Sequence, residues 1–121
     1  MPDFTLPFPP VGANNSRKFR QQHYSAAVRE IFPDPRPLAT DCILHAVFNP
    51  PATAGFVRYD LDNLLKPTQD ALKGIAYFDD NQVRCLHVRF GNRSGNGSVL
   101  VRIEPMIRHE STVNFSKGKT R

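Results

Sequence analysis

Cysteine is scarce in this chain: among 121 residues only Cys42 and Cys85 carry a thiol, and neither has a second Cys or a His at zinc-ligand spacing. A structural zinc site draws on about four such ligands in closely spaced pairs, so this composition argues against one. Both cysteines lie in apolar, strand-like segments and read as two buried thiols in a reducing compartment rather than as a disulfide. Long apolar runs are also missing. The longest, residues 42–48, falls far short of the roughly 18–20 residues that span a bilayer. Residues 1–6 show no basic stretch ahead of an apolar core, so they do not read as a secretory signal. The expectation is a cytoplasmic protein without membrane attachment. No internal repeat and no Gly-rich phosphate loop is visible.

What is present is positive charge, unevenly placed. Sixteen Lys and Arg stand against 11 Asp and Glu, a formal net charge of +5. Between Asp60 and Asp80, however, five acids (60, 62, 70, 79, 80) face two bases (66, 73). The rest of the chain is therefore more basic than the total implies. A basic body suits a polyanionic partner, because Lys and Arg neutralise phosphates and release counterions. An acidic pocket within such a body asks for a separate explanation.

At 121 residues, 40% of them hydrophobic, the chain fits one domain with a modest core. Residues 4–8 read as a short extended segment closed by Pro7, Pro9 and Pro10, and 12–16 as a loop. Over 17–32, Phe19, Tyr24, Ala27, Val28 and Ile31 recur at helical steps; Pro33, Pro35 and Pro37 end that helix. Residues 41–49 read as a strand whose nearly continuous apolar run predicts cover on both faces. Residues 52–55 read as an exposed loop after Pro50 and Pro51. A second helix is expected over 63–73, with Leu64, Leu65, Ala71 and Leu72 on one arc and Gly74 as its stop. Pro67 is tolerable there only near the helix start. Strands are expected over 83–90 and 99–107, joined by a hairpin loop at 91–97. His45 and His87 are expected to pack within their strands. Residues 108–121 are polar and basic and read as a loose tail. The order β-α-β-α-β-β predicts an α+β domain, one mixed sheet with two packed helices.

Asp60-Leu61-Asp62 opens the second helix and Asp79-Asp80 follows it after a short turn. Asp62, Lys66 and Asp70 are four apart and stack on one helical face. By itself Asp62 would be an N-cap, and Asp79-Asp80 a solvated turn. Together they are different: neighbouring carboxylates raise one another's pKa unless a cation compensates. Mg²⁺ prefers such hard oxygen ligands, and a Mg²⁺ site can activate water for phosphodiester cleavage. Lys66 is placed to neutralise charge building on a phosphoryl group; its plainer role is an ion pair with Asp62 or Asp70.

These residues also carry a resemblance. Asp60-Leu61-Asp62-Asn63-Leu64-Leu65-Lys66, then Asp70-Ala71-Leu72, then Asp79-Asp80-Asn81-Gln82-Val83, resembles the signature of the RusA family of Holliday-junction resolvases. Leu6-Pro7-Phe8-Pro9-Pro10 followed by Asn14-Asn15 is similar to that family's N-terminus. The likeness extends over 4–107, which implies a RusA-like nuclease domain over 1–107. It implies a homodimeric, Mg²⁺-dependent endodeoxyribonuclease, with Mn²⁺ as a substitute ion, making paired symmetric nicks across four-way DNA junctions in recombination and repair. Asp60, Asp62 and Asp80 match the family's metal-binding and catalytic carboxylates and Lys66 its essential lysine. Asp79 and Asp70 match supporting positions, Asp70 as a partner that orients Lys66.

For the nucleic acid, Arg17, Lys18, Arg20, Arg58 and Lys73 are the expected phosphate contacts, joined through the resemblance by Asn14. Arg84, Arg89, Arg93 and Arg102 extend the candidate track. Phe56 and Tyr59 are candidates for stacking on opened bases, core packing being the expected role of at least one. Three functions from different classes compete: the junction or branched-DNA nuclease, a non-catalytic nucleic-acid-binding module, and a small-substrate phosphohydrolase. The basic body and the missing phosphate loop argue against the last, and acids facing phosphates argue against the second.

Overall fold

Alternation along residues 42–49 sets the architecture. In the computed structural model, which describes residues 3–10, 17–54 and 58–106, strand β2 (Cys42–Asn49) buries every second residue. Cys42, Leu44, Ala46 and Phe48 point into the core while Ile43, His45, Val47 and Asn49 are only half-buried. The expectation that this strand is covered on both faces is therefore corrected. A period of two puts successive side chains on opposite faces, and here one face alone receives helices.

The remaining elements are β1 (Asp3–Pro7), α1 (Arg17–Ile31), α2 (Leu61–Leu72), β3 (Val83–Phe90) and β4 (Ser98–Pro105). Two short 3₁₀ turns, Ala52–Ala54 and Asp80–Gln82, complete them. The order β-α-β-α-β-β and the single mixed sheet match the α+β expectation, with strand order β1-β4-β2-β3. The pairs β1/β4 and β2/β4 are antiparallel, and β2/β3 is parallel. A parallel pair needs a crossover connection, and α2 supplies it.

One expectation fails here. Residues 91–97 do not close a hairpin, because β4 pairs with β1 and β2 and not with β3. The loop instead carries the chain past the end of β2, and backbone bonds from Gly91 N to Phe48 O (2.8 Å) and Ser94 N to Pro50 O (2.9 Å) hold it there. A Gly- and Asn-rich loop permits a tight turn, but the central position in a sheet goes to the strands with the most apolar surface to bury. Residues β4 places inward, Val99, Val101 and Ile103, are all fully buried.

α1 also differs from its periodic reading. Tyr24 and Val28 are buried, whereas Phe19 and Ile31 are 61% and 44% exposed. Its packed stripe is narrower than the apolar residues suggest, running through Gln21, Tyr24, Ser25 and Val28 at helical steps. Gln21 joins it by donating to Pro67 O (3.2 Å) on α2, and Tyr24 by donating its hydroxyl to Pro7 O (3.0 Å) on β1. Burial pushes the Tyr24 phenol up to about 12, so it remains a proton donor at any ordinary pH.

Cys42 is buried, but Cys85 is only half-buried and His87 is exposed, which corrects their expected burial; both cysteines are free thiols. Cys85 and His87 sit on the sheet face away from the helices, as does His45. No helix among the described residues is long and apolar enough to cross a membrane. Asn14, Phe56 and the tail at 108–121 lie outside the described residues.

Tyr24→Phe removes the bond that ties α1 to β1 and leaves the Pro7 carbonyl without that donor. It should cost about 1 kcal/mol, read as a lower urea midpoint at unchanged slope. An unchanged midpoint would show that the bond contributes nothing.

Candidate active site

α2 begins two residues earlier than its periodicity suggests, and this changes what its aspartates are doing. Asp60 is the N-cap, with extended backbone (φ −97°, ψ 135°), yet its side chain makes no capping bond. Its Oδ2 instead accepts from Asn63 Nδ2 at 3.3 Å. Asp62 lies in the first turn, exposed. Capping therefore consumes neither carboxylate, and both stand at the helix end whose dipole favours negative charge. Pro67 falls in the helix interior rather than near its start. Its ring leaves the Asn63 carbonyl without an i+4 donor. One turn on, Lys66 Nζ lies 3.4 Å from Asp70 Oδ1, and both are partly exposed.

The helix stops at Lys73, and Gly74 follows with φ +85°, a left-handed conformation that a Cβ would oppose. The chain then folds back through Ile75, Ala76 and Tyr77, all buried. Tyr77 donates its hydroxyl to Gln69 O at 3.0 Å. This brings residues 78–82 beside the face of α2 that carries Lys66 and Asp70.

That turn is held by a residue whose role the sequence reading missed. Gln82 is buried, and its amide has every bonding position filled. Oε1 accepts from Phe78 N (2.7 Å) and Asp79 N (2.8 Å). Nε2 donates to Leu38 O and Thr40 O, both at 2.8 Å. Asp79 completes a capping box by accepting from Asn81 N at 3.5 Å. The signal was available: Asp79-x-x-Gln82 has the capping-box spacing. Phe78 projects from the same locked turn, 59% exposed, an aromatic that the sequence reading also passed over.

Asp80 is the electrostatic centre. Its Oδ1 is buried with no hydrogen-bond partner among the described residues. Burial first, and then the Asp70 carboxylate, push its pKa above the ordinary carboxylate value; Lys73 and Lys66 pull it down, and Asp79 adds to the rise. An orphaned carboxylate oxygen beside further acids is a site that a cation would complete. Asp80 therefore fits a hard divalent ion, and Asp60 and Asp62 offer unconsumed oxygens of the right kind. Among the described residues no three His, Cys, Asp or Glu side chains are gathered closely enough to hold a metal by themselves. Mg²⁺ does not need that, since it commonly takes one or two carboxylates and completes its shell with water and substrate phosphate.

The basic candidates divide. Lys73 lies in the site, its Nζ 3.4 Å from Asp79 Oδ1. Arg84 is adjacent, donating to Asn81 O at 3.4 Å. Arg58 is exposed directly ahead of Asp60, and Lys18 is exposed at the start of α1, where Arg17 is the first residue; Arg20 is half-buried. Arg93, on the 91–97 loop, donates to Pro51 O beyond the end of β2. Arg102 and Arg89 are on the opposite sheet face, Arg102 bound to Asp3 at 2.8 Å. Tyr59 packs edge-on against Phe8 with centroids 5.2 Å apart.

Two outcomes are expected. A carboxyl whose pKa folding raises favours the fold in its neutral form, and that contribution is lost as pH rises through the folded pKa. Asp80→Asn should therefore increase Tm at neutral pH, the gain shrinking as the pH falls through the raised folded pKa and vanishing below the unfolded carboxylate value of about 4. A Tm that is lower at neutral pH, or a gain independent of pH, would contradict the electrostatic assignment. Gln82→Ala strands two N–H groups and two carbonyls, and should cost about 2–4 kcal/mol in chemical denaturation. A cost below about 1 kcal/mol would mean the turn holds without it.

Comparison with known proteins places the chain in a family. A search of curated proteins finds no match, but the family described as Endodeoxyribonuclease RusA matches residues 7–104, from the end of β1 almost to the end of β4. That span takes in every carboxylate and lysine of the site, and this chain belongs to the RusA endodeoxyribonuclease family.

Proposed function

We propose that this nuclease cleaves four-way DNA junctions with Mg²⁺, Mn²⁺ substituting, making paired symmetric nicks as a homodimer in recombination and repair. The observation that carries the reading is the buried Asp80 oxygen, without a hydrogen-bond partner among the described residues, within a cluster of acids on an otherwise basic chain. Asp80, Asp60 and Asp62 are the residues to hold the ion. When bound, Mg²⁺ supplies an activated water and charge neutralisation at the scissile phosphate.

The protein's own groups do the rest. The Gln82-locked turn holds Asp80 in place, so little reorganisation accompanies reaction. Asp70 orients Lys66, whose exposed amine is free to meet charge developing on phosphoryl oxygens. Lys73, steadied by Asp79, is the second cation beside the same carboxylates. Arg17, Lys18, Arg20, Arg58 and Asn14 position the phosphate backbone. Phe78 offers a flat apolar face for a base unstacked at the branch point. A purely binding role fits poorly, since exposed carboxylates would repel the phosphates it had to hold.

The test is cleavage of a synthetic four-way junction, with simple duplex and other branched DNA as controls. Cutting is expected with Mg²⁺ and not with chelator. Asp80→Asn and Asp62→Asn should lose cutting while binding persists or tightens. Near-parental cleavage by both variants would show that the site is elsewhere. Binding should fall on the order of a thousandfold between 50 and 200 mM salt if six or more phosphates are contacted. A flat salt profile would remove the basic body as the DNA surface.

A further inference from the structure

The first rung of the parallel pair is irregular. Cys42 of β2 stands against Val83 of β3, but Ile43 stands against Cys85, so one step along β2 spans two along β3. Arg84 is the extra residue and has no opposite number on β2. An unbroken register would set it against Ile43, on the open face of the sheet away from the helices. The bulge gives that place to Cys85 instead. Such a bulge re-aims a side chain, and bulges recur beside active sites. This one follows directly on Gln82, whose amide locks the turn that carries Asp80.

The re-aimed side chain reaches back to that turn. Arg84 Nη1 donates to Asn81 O at 3.4 Å, one residue on from Asp80. Other charges nearby are already matched. Lys66 is paired with Asp70 and Lys73 with Asp79. On the open face Arg102 Nε lies 2.8 Å from Asp3 Oδ1, and His45 Nε2 lies 3.0 Å from Glu104 Oε1. Arg84, by contrast, makes no ion pair among the described residues, and it is exposed. Most of its five N–H donors are therefore open to a group outside the chain. The cations that act on Asp80 are Lys73 and Lys66, so Arg84 stands to one side of the carboxylates rather than over them.

We propose that Arg84 grips a DNA phosphate next to the scissile one and so sets the register of the cut strand over Asp80. The proposal rests on the nuclease reading and adds a residue that reading does not use. The family acts on DNA, and a neighbouring phosphate is the anion that must lie beside the acids during cutting. A guanidinium suits the task because its planar fork donates twice to one phosphate, whereas an ammonium acts as a point charge. Such a contact carries no base information; it fixes where along the strand the acids meet the backbone. Arg84 and Asp80 leave the chain four residues apart on either side of Gln82. The same saturated amide that holds the carboxylate therefore holds the base of the fork.

The test compares the full-length parent with Arg84→Gln in two assays. One is cleavage of a four-way junction. The other, with chelator present, is binding to junctions that carry a single neutral methylphosphonate at successive positions around the branch point. Arg84→Gln should raise the dissociation constant about tenfold, with the loss in kcat/KM carried by KM. The slope of log affinity against log salt should fall by about one. In the parent, one methylphosphonate position should cost a similar factor, and in Arg84→Gln that position alone should become silent. Arg84→Lys keeps the charge without the fork and should show the same pattern at about threefold, which serves if the glutamine variant fails to fold by circular dichroism. Arg36→Gln removes an equal charge from an exposed pair with Asp34 and should leave the scan unchanged. Parental affinity in both Arg84 variants, or a methylphosphonate profile identical to the parent's, overturns the proposal. A parent that binds the junction without cutting it rejects the nuclease reading, and the scan still decides whether Arg84 holds a phosphate. A parent that does not bind DNA overturns both.

Discussion

The site depends on the saturated amide of Gln82. A buried primary amide must place two donors and an oxygen that can accept twice, and leaving any of them unmade is costly. Gln82 places all of them on backbone, two on the turn that precedes β3 and two on the segment that leads into β2. These two segments are far apart in sequence and become the parallel pair immediately afterwards, Cys42 against Val83. One side chain thus closes the end of the parallel ladder and fixes the backbone from which Asp80 projects.

That fixed position explains the electrostatics. Asp80 is pressed into a place where one of its oxygens finds no hydrogen-bond partner among the described residues, beside an Asp70 brought over by the helix and the Ile75–Tyr77 fold-back. An unstructured turn would let the carboxylate swing into water. The locked turn prevents this, so the negative charge stays under-compensated, and that is what supports the proposal of a bound cation. The lysines are arranged as counterweights, each paired with a different acid, Lys66 with Asp70 and Lys73 with Asp79. Exposed pairs of this kind add little stability; their consequence is to hold two amines beside the same carboxylates.

The two-layer architecture then separates tasks by face. The helix side of the sheet, with the 78–82 turn, carries the acids and the lysines paired with them. The other side is charge-balanced and internally paired. A single layer of four strands is thin enough that neighbouring residues along β2, such as Leu44 and His45, serve the core and the open face respectively. This follows from the period of two and nothing else.

Local order was legible in the sequence. Helical spacing brings Lys66 and Asp70 onto one face, the position of Gly74 stops α2, the apolar run at 42–49 makes a strand, and the ordered motif from Asp60 to Val83 identifies the family. These depend on residues within a turn or two of one another, where geometry is set by the chain itself. Tertiary structure decided what distance hides. Hydrogen bonding across the sheet, not the loop at 91–97, chose β2 and β1 as neighbours of β4. Packing chose which side of α1 to bury and left Phe19 and Ile31 outside. The fold-back after α2 set Asp70 against Asp80, and Gln82 found its carbonyl partners some forty residues away. Sequence could supply the acids in order; only the closed fold could bury one of their oxygens, because burial belongs to the whole packed chain.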